Sequence, residues 1–447
     1  MLAFLGFFTV IAMLVLIMTK KAAPVIALIA VPVITGVIAS FFAPVVDGKA
    51  AFAALDMGKF ITGGIGTVAA TGVMFIFSIL FFGVLTDAGT FKPIINGILK
   101  VIGTDPVKIA LGTALLAIIV HLDGSGAVTF LICVPPLLPL YDAVGMKRTS
   151  LATVVAMSAG TMNIVPWGGP TLRAATAMDK MDVMTLFNPV IVPMIFGLAT
   201  VLVFAFLIGR AEKKRIGAVS LSGVTAKAEE LSPEKAALLR PSLFGVNVIL
   251  IIATIAGLIV LAKWFAPQVV FMFAFVLAIV INYPDPKVQR ERVDAHAKSA
   301  IMMASVLFAA GAFTGIMRST GMITAMSEAL VSIIPSSAGR FFPLITGIIA
   351  MPASLLFDPD SFYFGVLPVL GNTAAGFGVE AVNVARAAIL GQMTTGFPVS
   401  PLTPSTFLLI GLSGVEFGEH QKKTIPYVFC ITIVMLVVAL ITGAIKI

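Results

Sequence analysis

Acids, hydroxyls, glycines and prolines gather at four places in an otherwise apolar chain. The first is His121-Leu-Asp-Gly-Ser-Gly126, and the second is Asn163-Ile-Val-Pro-Trp-Gly-Gly-Pro-Thr171, followed by Arg173. The third is Phe357-Asp-Pro-Asp-Ser361, and the fourth runs Thr394-Thr-Gly-Phe-Pro-Val-Ser-Pro-Leu-Thr-Pro-Ser-Thr406. Proline and glycine end helical hydrogen bonding, so each cluster leaves backbone N–H groups unpaired where a half-helix starts and C=O groups unpaired where one stops. The N–H ends favour anions and the C=O ends favour cations, which suits a small carboxylate bound together with a cation. The expected substrate-binding groups are Ser125, Gly126, Asn163, Gly168, Gly169, Thr171, Arg173, Ser400, Thr403 and Ser405. Asp123, Asp358, Asp360 and His121 are the candidates to hold a metal ion or a proton. A carboxylate in hydrocarbon costs at least a few kcal/mol, so three of them need a metal, a proton or an arginine. Solvated caps at headgroup level are the plainer reading, more for Asp360 than for Asp123. His121 reads equally as a hydrogen-bonded structural residue or a proton carrier, and Arg173 as a carboxylate clamp or a snorkelling helix end.

The elements that carry these groups are short. The apolar run 107–120 covers about 21 Å at 1.5 Å per residue, less than a hydrocarbon core of about 30 Å, and it stops at the first cluster. With the proline-rich run that follows it forms a helical hairpin over about 107–145 that dips into the membrane and returns. The run from 150 breaks at the second cluster, giving a broken helix over about 150–180. The pattern recurs as a hairpin at about 340–372 and a broken helix at about 384–414. The landmarks repeat at one spacing, 235 residues from Asp123 to Asp358 and 234 from Pro170 to Pro404, which points to an internal duplication. The expected organisation is a first repeat at 1–209, a cytoplasmic linker at 210–240 and a second repeat at 241–447. Each repeat has five spans and one re-entrant hairpin. An odd number of crossings inverts the second copy.

Composition agrees. The 447 residues are 59% hydrophobic and only 11% charged, against about 25% charged in soluble domains, which excludes a soluble enzyme. At roughly 20 apolar residues per spanning helix the chain has room for ten to twelve membrane segments. The net charge of +8 follows the retention of Lys and Arg in cytoplasmic loops. With Lys20 and Lys21 inside, 20 of the 29 basic residues fall on the inner side and both termini outside. Basic residues are not interleaved with aromatics, so no nucleic-acid partner is expected. The first 18 residues lack a basic n-region and a cleavage site and read as an uncleaved span. Cys133 and Cys430 lie in apolar runs without metal or disulfide spacing and read as small core residues.

The opening Met1-Leu-Ala-Phe-Leu-Gly, the Leu122-Asp-Gly-Ser-Gly126 tip, the Pro166-Trp-Gly-Gly-Pro-Thr171 break with Arg173, Phe362-Tyr-Phe-Gly-Val-Leu-Pro368 and Pro398-Val-Ser-Pro401 resemble the citrate-metal:proton symporter (CitMHS) family of the ion transporter superfamily. The likeness covers nearly the whole chain. It departs at Ser125, where the family often carries a second acid. The resemblance implies proton-driven uptake of citrate complexed with Mg²⁺ or Ca²⁺ across a bacterial cytoplasmic membrane, with no permanently bound cofactor. Through the related divalent anion:sodium symporters it implies an elevator fold, an all-α polytopic architecture and a homodimer in the lipid bilayer. A sodium-coupled di- or tricarboxylate carrier would use the same breaks. An intramembrane enzyme built on Asp123, Asp358 and His121 is disfavoured, because alternating access, not catalysis, calls for two inverted copies. The absence of a ring of repeated charges speaks against a channel.

Overall fold

Proline opens helix after helix: Pro24, Pro106, Pro267, Pro286 and Pro404 are each a first residue, where the missing N–H costs nothing and the fixed φ suits the turn. A computed structural model of the chain describes residues 1–19, 21–46, 49–93, 97, 103–178, 181–217, 233–261 and 264–447. Lys20, Lys100 and residues 218–232 of the expected linker lie outside them. The described residues are helical apart from connecting turns and one antiparallel ladder of two residues per strand, Val45–Val46 with Lys49–Ala50. Seven helices among them are long and apolar enough to cross a membrane, and six shorter apolar helices accompany them.

The helix order begins Leu2–Met18, Pro24–Ser40 and Met57–Asp87, of 17, 17 and 31 residues. Helices Pro106–Val120 and Gly126–Val144 then form a hairpin, and Arg148–Met162 and Gly169–Ala177 are two halves of an interrupted helix, followed by Ile191–Ile216. The later part begins with Phe244–Val260, Pro267–Asn282 and Pro286–Ser319, of 17, 16 and 34 residues. The amphipathic helix Met322–Ile333 comes next. A second hairpin is made of Phe342–Ala353 and a π-helical turn, Ser361–Val366, that runs into Leu367–Gly376. Ala381–Ile389 and Pro404–Ser413 flank a second interruption, and Phe417–Ile441 closes the chain.

Two groups of helices result. In one, Met57–Asp87 and Pro286–Ser319 run along each other, with Pro24–Ser40 and Pro267–Asn282 packed outside them. The long pair approaches through glycine, since a Cβ on Gly64 would strike the Gly311 carbonyl oxygen and lie 2.8 Å from the Gly315 Cα. Small residues permit this closeness, and between membrane helices van der Waals packing carries the association. In the other group both hairpins and both interrupted helices pack against Ile191–Ile216 and Phe417–Ile441. Phe4, Ile26, Ile249, Phe273 and Ile301 turn their side chains outward, the surface a lipid tail covers. The protein is a multi-pass membrane protein. Cys133 is buried as expected, whereas Cys430 is exposed on an outer helix face rather than in the core.

Polar bonds tie distant basic segments onto common ground. Lys213 donates to Asp105 at 2.5 Å, Arg215 to the Gly145 carbonyl at 2.5 Å, and Lys423 to Ser150 at 2.6 Å. The Lys213 hydrogen bond holds the Asp105 carboxyl below the usual carboxylate range. In the other group, Arg240 receives the Ala88 carbonyl on its N–H, donates through Nε to the Asn282 carbonyl and stacks over Tyr283 at 4.8 Å.

Candidate functional site

The tip of the first hairpin is a turn built around Asp123. A 3-10 turn, His121–Asp123, ends at Gly124 with φ 74°, a left-handed backbone that a side chain resists. The Asp123 Oδ1 accepts the Ser125 N–H at 2.8 Å, so one oxygen closes the turn and the carboxylate's other face is left to the cavity described below. Ser125 caps the returning helix by accepting the Val128 N–H. Asp358 does the same at the second tip, its Oδ1 accepting from Asp360 N and Ser361 N at 3.0 Å and its Oδ2 from the Ser361 hydroxyl at 2.5 Å. Its oxygens are thereby all used within its own turn.

Between the halves of the first interrupted helix, the Thr171 hydroxyl donates to the Ile164 carbonyl at 2.8 Å, and Gly168 is required because a Cβ there would strike the Asn163 carbonyl oxygen. Trp167 Nε1 donates to the Leu122 carbonyl at 2.7 Å, fastening this break to the hairpin tip. Asn163 Nδ2 donates to the Met393 carbonyl at 2.7 Å, fastening it to the second break. Met393 itself sits at φ 51°, the one non-glycine residue with positive φ among the described residues, and strain of this kind collects at functional sites. In the second break the Thr403 and Thr406 hydroxyls both reach the Phe397 carbonyl, and Ser400 Oγ accepts the Leu402 N–H at 3.1 Å.

Arg173 and Asp360 find each other across a separation of 187 residues. Arg173 Nε donates to Asp360 Oδ1 at 2.7 Å, and both side chains are about nine-tenths buried. The arginine is therefore already paired with the acid it neutralises. It presents the rest of its guanidinium to the cavity.

His121 is fully buried between hairpin and break. Its Nδ1 lies 2.8 Å from Thr129 Oγ1, which in turn lies 2.8 Å from the Ser125 carbonyl, and its Nε2 lies 3.3 Å from Asn163 Oδ1. Thr129 has one proton, and Asn163 spends its amide on Met393. With the amide so oriented, all of these bonds are made together only when both ring nitrogens carry protons, and a neutral imidazole leaves one unmade.

These pieces enclose a cavity of about 560 Å³. Asp123, Ser125, Gly126, Asn163, Gly169, Arg173, Thr403 and Ser405 line it; His121, Gly168, Thr171, Ser400, Asp358 and Asp360 stand behind the wall. The far wall, which sequence reasoning missed, comes from the long helices, with Ser78, Gly83 and Thr86 on one and His296 and Ser299 on the other. Asp285 caps a helix that starts at Pro286, and its charged first turns bring His296 to the wall. Among the described residues no three of His, Cys, Asp and Glu form a group that could hold a metal ion. The cavity thus offers one free carboxylate face, the remainder of a guanidinium, hydroxyls and open backbone, a set that suits an anion carrying its own cation.

Comparisons with known proteins agree. The model of the citrate transporter family matches residues 13–391. In Bacillus subtilis, a citrate transporter is 42% identical and a Mg(2+)/citrate complex secondary transporter 38% identical, each aligned over 100% of both chains. An uncharacterized transporter, YraO, of the same organism is 39% identical over the full length of both. Among solved structures, the YdaH transporter of Alcanivorax borkumensis superposes with a TM-score of 0.63 at 13% identity, over 98% of this chain and 97% of that one. MtrF of Neisseria gonorrhoeae gives 0.60 at 12%, over 94% of each. Those two likenesses speak to the fold. The family match and the full-length relatives speak to descent: the chain belongs to the citrate transporter (CitMHS) family, a family of transporters and not of enzymes.

Proposed function

We propose that this protein is a secondary transporter that takes citrate, or a similar tricarboxylate, into the cell as a complex with Mg²⁺ or Ca²⁺, together with protons, across the cytoplasmic membrane. The observation that carries the reading is the cavity wall where the Asp123 carboxylate, the Arg173 guanidinium and the hydroxyls of Ser125, Thr403 and Ser405 meet at helix interruptions. The 38% identical relative named for the Mg(2+)/citrate complex supports a metal that travels with the substrate. The helix order, with its two series of nearly equal lengths, supports two inverted repeats at 1–209 and 241–447 joined by a cytoplasmic linker. The sharing of the cavity between the long-helix group and the hairpin group supports an elevator in which the second group carries the cargo. The co-location of residues 88, 105, 145, 213, 240, 282 and 423 in two basic clusters supports an inner face for these segments and both termini outside. His121, whose bonds are complete only when doubly protonated, is the proton carrier in this reading. Two copies assemble in the membrane, as the resemblance implies.

The test is uptake of labelled citrate into proteoliposomes with Mg²⁺, Ca²⁺, Na⁺ or a pH gradient supplied one at a time. Saturable uptake that needs a divalent cation and is driven by a proton gradient is expected. Uptake driven by Na⁺ alone would replace this reading with a sodium-coupled carrier. Asp123→Asn keeps the oxygen that accepts the Ser125 N–H and removes the charge, so uptake is expected to vanish while the protein stays abundant. Wild-type rates in that variant would remove Asp123 from the site.

A further inference from the structure

The wall opposite the hairpin tips carries a cluster that the reading above does not use. His296 Nε2 lies 2.9 Å from Asp87 Oδ2, and Arg292 Nη1 lies 3.3 Å from the same oxygen. All three side chains are about one-fifth exposed. A carboxylate only accepts, so Nε2 carries the proton of that bond and Nδ1 is the atom left over. Among the described residues Nδ1 has no partner of its own, and the residue lines the cavity. Its ring lies against Gly83, where a Cβ would come within 2.7 Å of Cγ and Nδ1. The long helix therefore keeps a glycine where the imidazole rests. One acid faces two basic side chains here, so with the imidazole protonated the cluster has an excess of one positive charge, and among the described residues Arg292 Nε is a further buried donor without a partner.

We propose that His296, braced by Asp87, is a substrate contact on the long-helix wall, where its imidazolium Nδ1–H donates to a carboxylate of the bound tricarboxylate. The proposal rests on the citrate reading above. The charged neighbours do not replace it. Arg292 is occupied by Asp87, Tyr283 is covered by Arg240, and Arg173 across the cavity is paired with Asp360. Asp123, also across the cavity, is an acid and repels a carboxylate. Of the other elements packed on Pro286–Ser319, Pro24–Ser40 carries no titratable group, Met322–Ile333 only Glu328, and the turn Ser361–Val366 only Tyr363, whose hydroxyl donates to the Gln392 carbonyl; Lys287, Arg290, Glu291, Asp294 and Lys298 share the helix of His296. Protonation turns Nδ1 from an acceptor into a donor, a change that hydroxyls and backbone do not undergo.

Calorimetric titration of the purified full-length protein with citrate in excess Mg²⁺ tests it, at about pH 5.5 and about pH 8. Citrate changes its own protonation between these values, equally for every variant, so the ratio of variant to wild-type Kd is what is read. His296→Gln is expected to weaken binding about tenfold at the lower pH and less than twofold at the higher. His296→Lys, which keeps a positive charge at both, is expected to match the wild type at the lower pH and to exceed it at the higher. Gly83→Ala, which displaces the ring, should follow His296→Gln. Equal ratios at the two pH values for His296→Gln, with Lys failing to rescue, would show a merely structural histidine and overturn the proposal. If wild-type protein binds no citrate with any cation, the citrate reading itself falls, and this proposal with it.

Discussion

Arg173 and Asp360 meet at 2.7 Å across a separation of 187 residues, and neither can be understood alone. Two charges withdrawn from water are tolerable only in each other's company, and removing one strands the other. Asp360→Asn should therefore cost about 3–5 kcal/mol, read as a fall in melting temperature and in monodisperse yield after purification. Arg173→Met combined with Asp360→Leu removes both charges and should recover a large part of that loss while abolishing transport. A double variant no more stable than Asp360→Asn would show that the loss does not come from a stranded charge. Sequence alone placed each residue correctly at an interruption but could not join them, because nothing in a linear chain announces a partner 187 positions away. It read Arg173 as a clamp or a snorkelling end and Asp360 as a metal or proton holder or a cap. An arginine is one of the partners the sequence allows a buried acid, and the packing of helix Gly169–Ala177 against the turn Ser361–Val366 makes Arg173 that partner for Asp360.

At the scale of elements, what could be read was punctuation. Prolines 166, 170, 398, 401 and 404 and the glycines beside them are local signals, and the helices stop and restart there for local reasons. Faces are different. Gly63, Gly64 and Gly66 look alike in sequence, as ordinary glycines of a membrane helix. The structure separates them: a Cβ at Gly63 or Gly66 meets nothing within 4 Å, whereas one at Gly64 runs into the backbone of the facing helix at Gly311 and Gly315. Gly64→Ala is thus expected to destabilise by about 1–3 kcal/mol, since backbone cannot move aside as a side chain tip can. Gly63→Ala should be neutral or slightly stabilising, because alanine is the better helix former by up to about 1 kcal/mol. Thermal melts of the two purified variants decide it, and equal melting temperatures would mean that the long helices do not meet at Gly64. The cavity wall contributed by Gly83 and His296 was hidden for the same reason. It lies inside one uninterrupted apolar helix and in the charged first turns of another, where no break marks it.

At the scale of the molecule the proposed inversion of two repeats is the feature on which alternating access would depend, and two short connections would report on it. Lys147 stands between the first hairpin, ending at Val144, and the interrupted helix that starts at Arg148. Glu380 stands between the second hairpin, ending at Gly376, and the interrupted helix that starts at Ala381. The two are matching positions, 233 residues apart, and both are exposed. Five crossings per repeat would put them on opposite faces, and by the positive charge of Lys147 and Arg148 the first would lie inside. Lys147→Cys and Glu380→Cys, each in a chain with the exposed Cys430 changed to Ser, would be treated with a membrane-impermeant maleimide in intact cells and in inside-out vesicles. Glu380→Cys should react in cells and Lys147→Cys in the vesicles. The assignment does not depend on the hairpin tips, because both residues lie in connections at the ends of the hairpins. Reaction of both from one face would mean an even number of crossings between them. The two halves would then be parallel copies, and the cavity would have to open to its second side by some route other than the exchange of two mirrored halves.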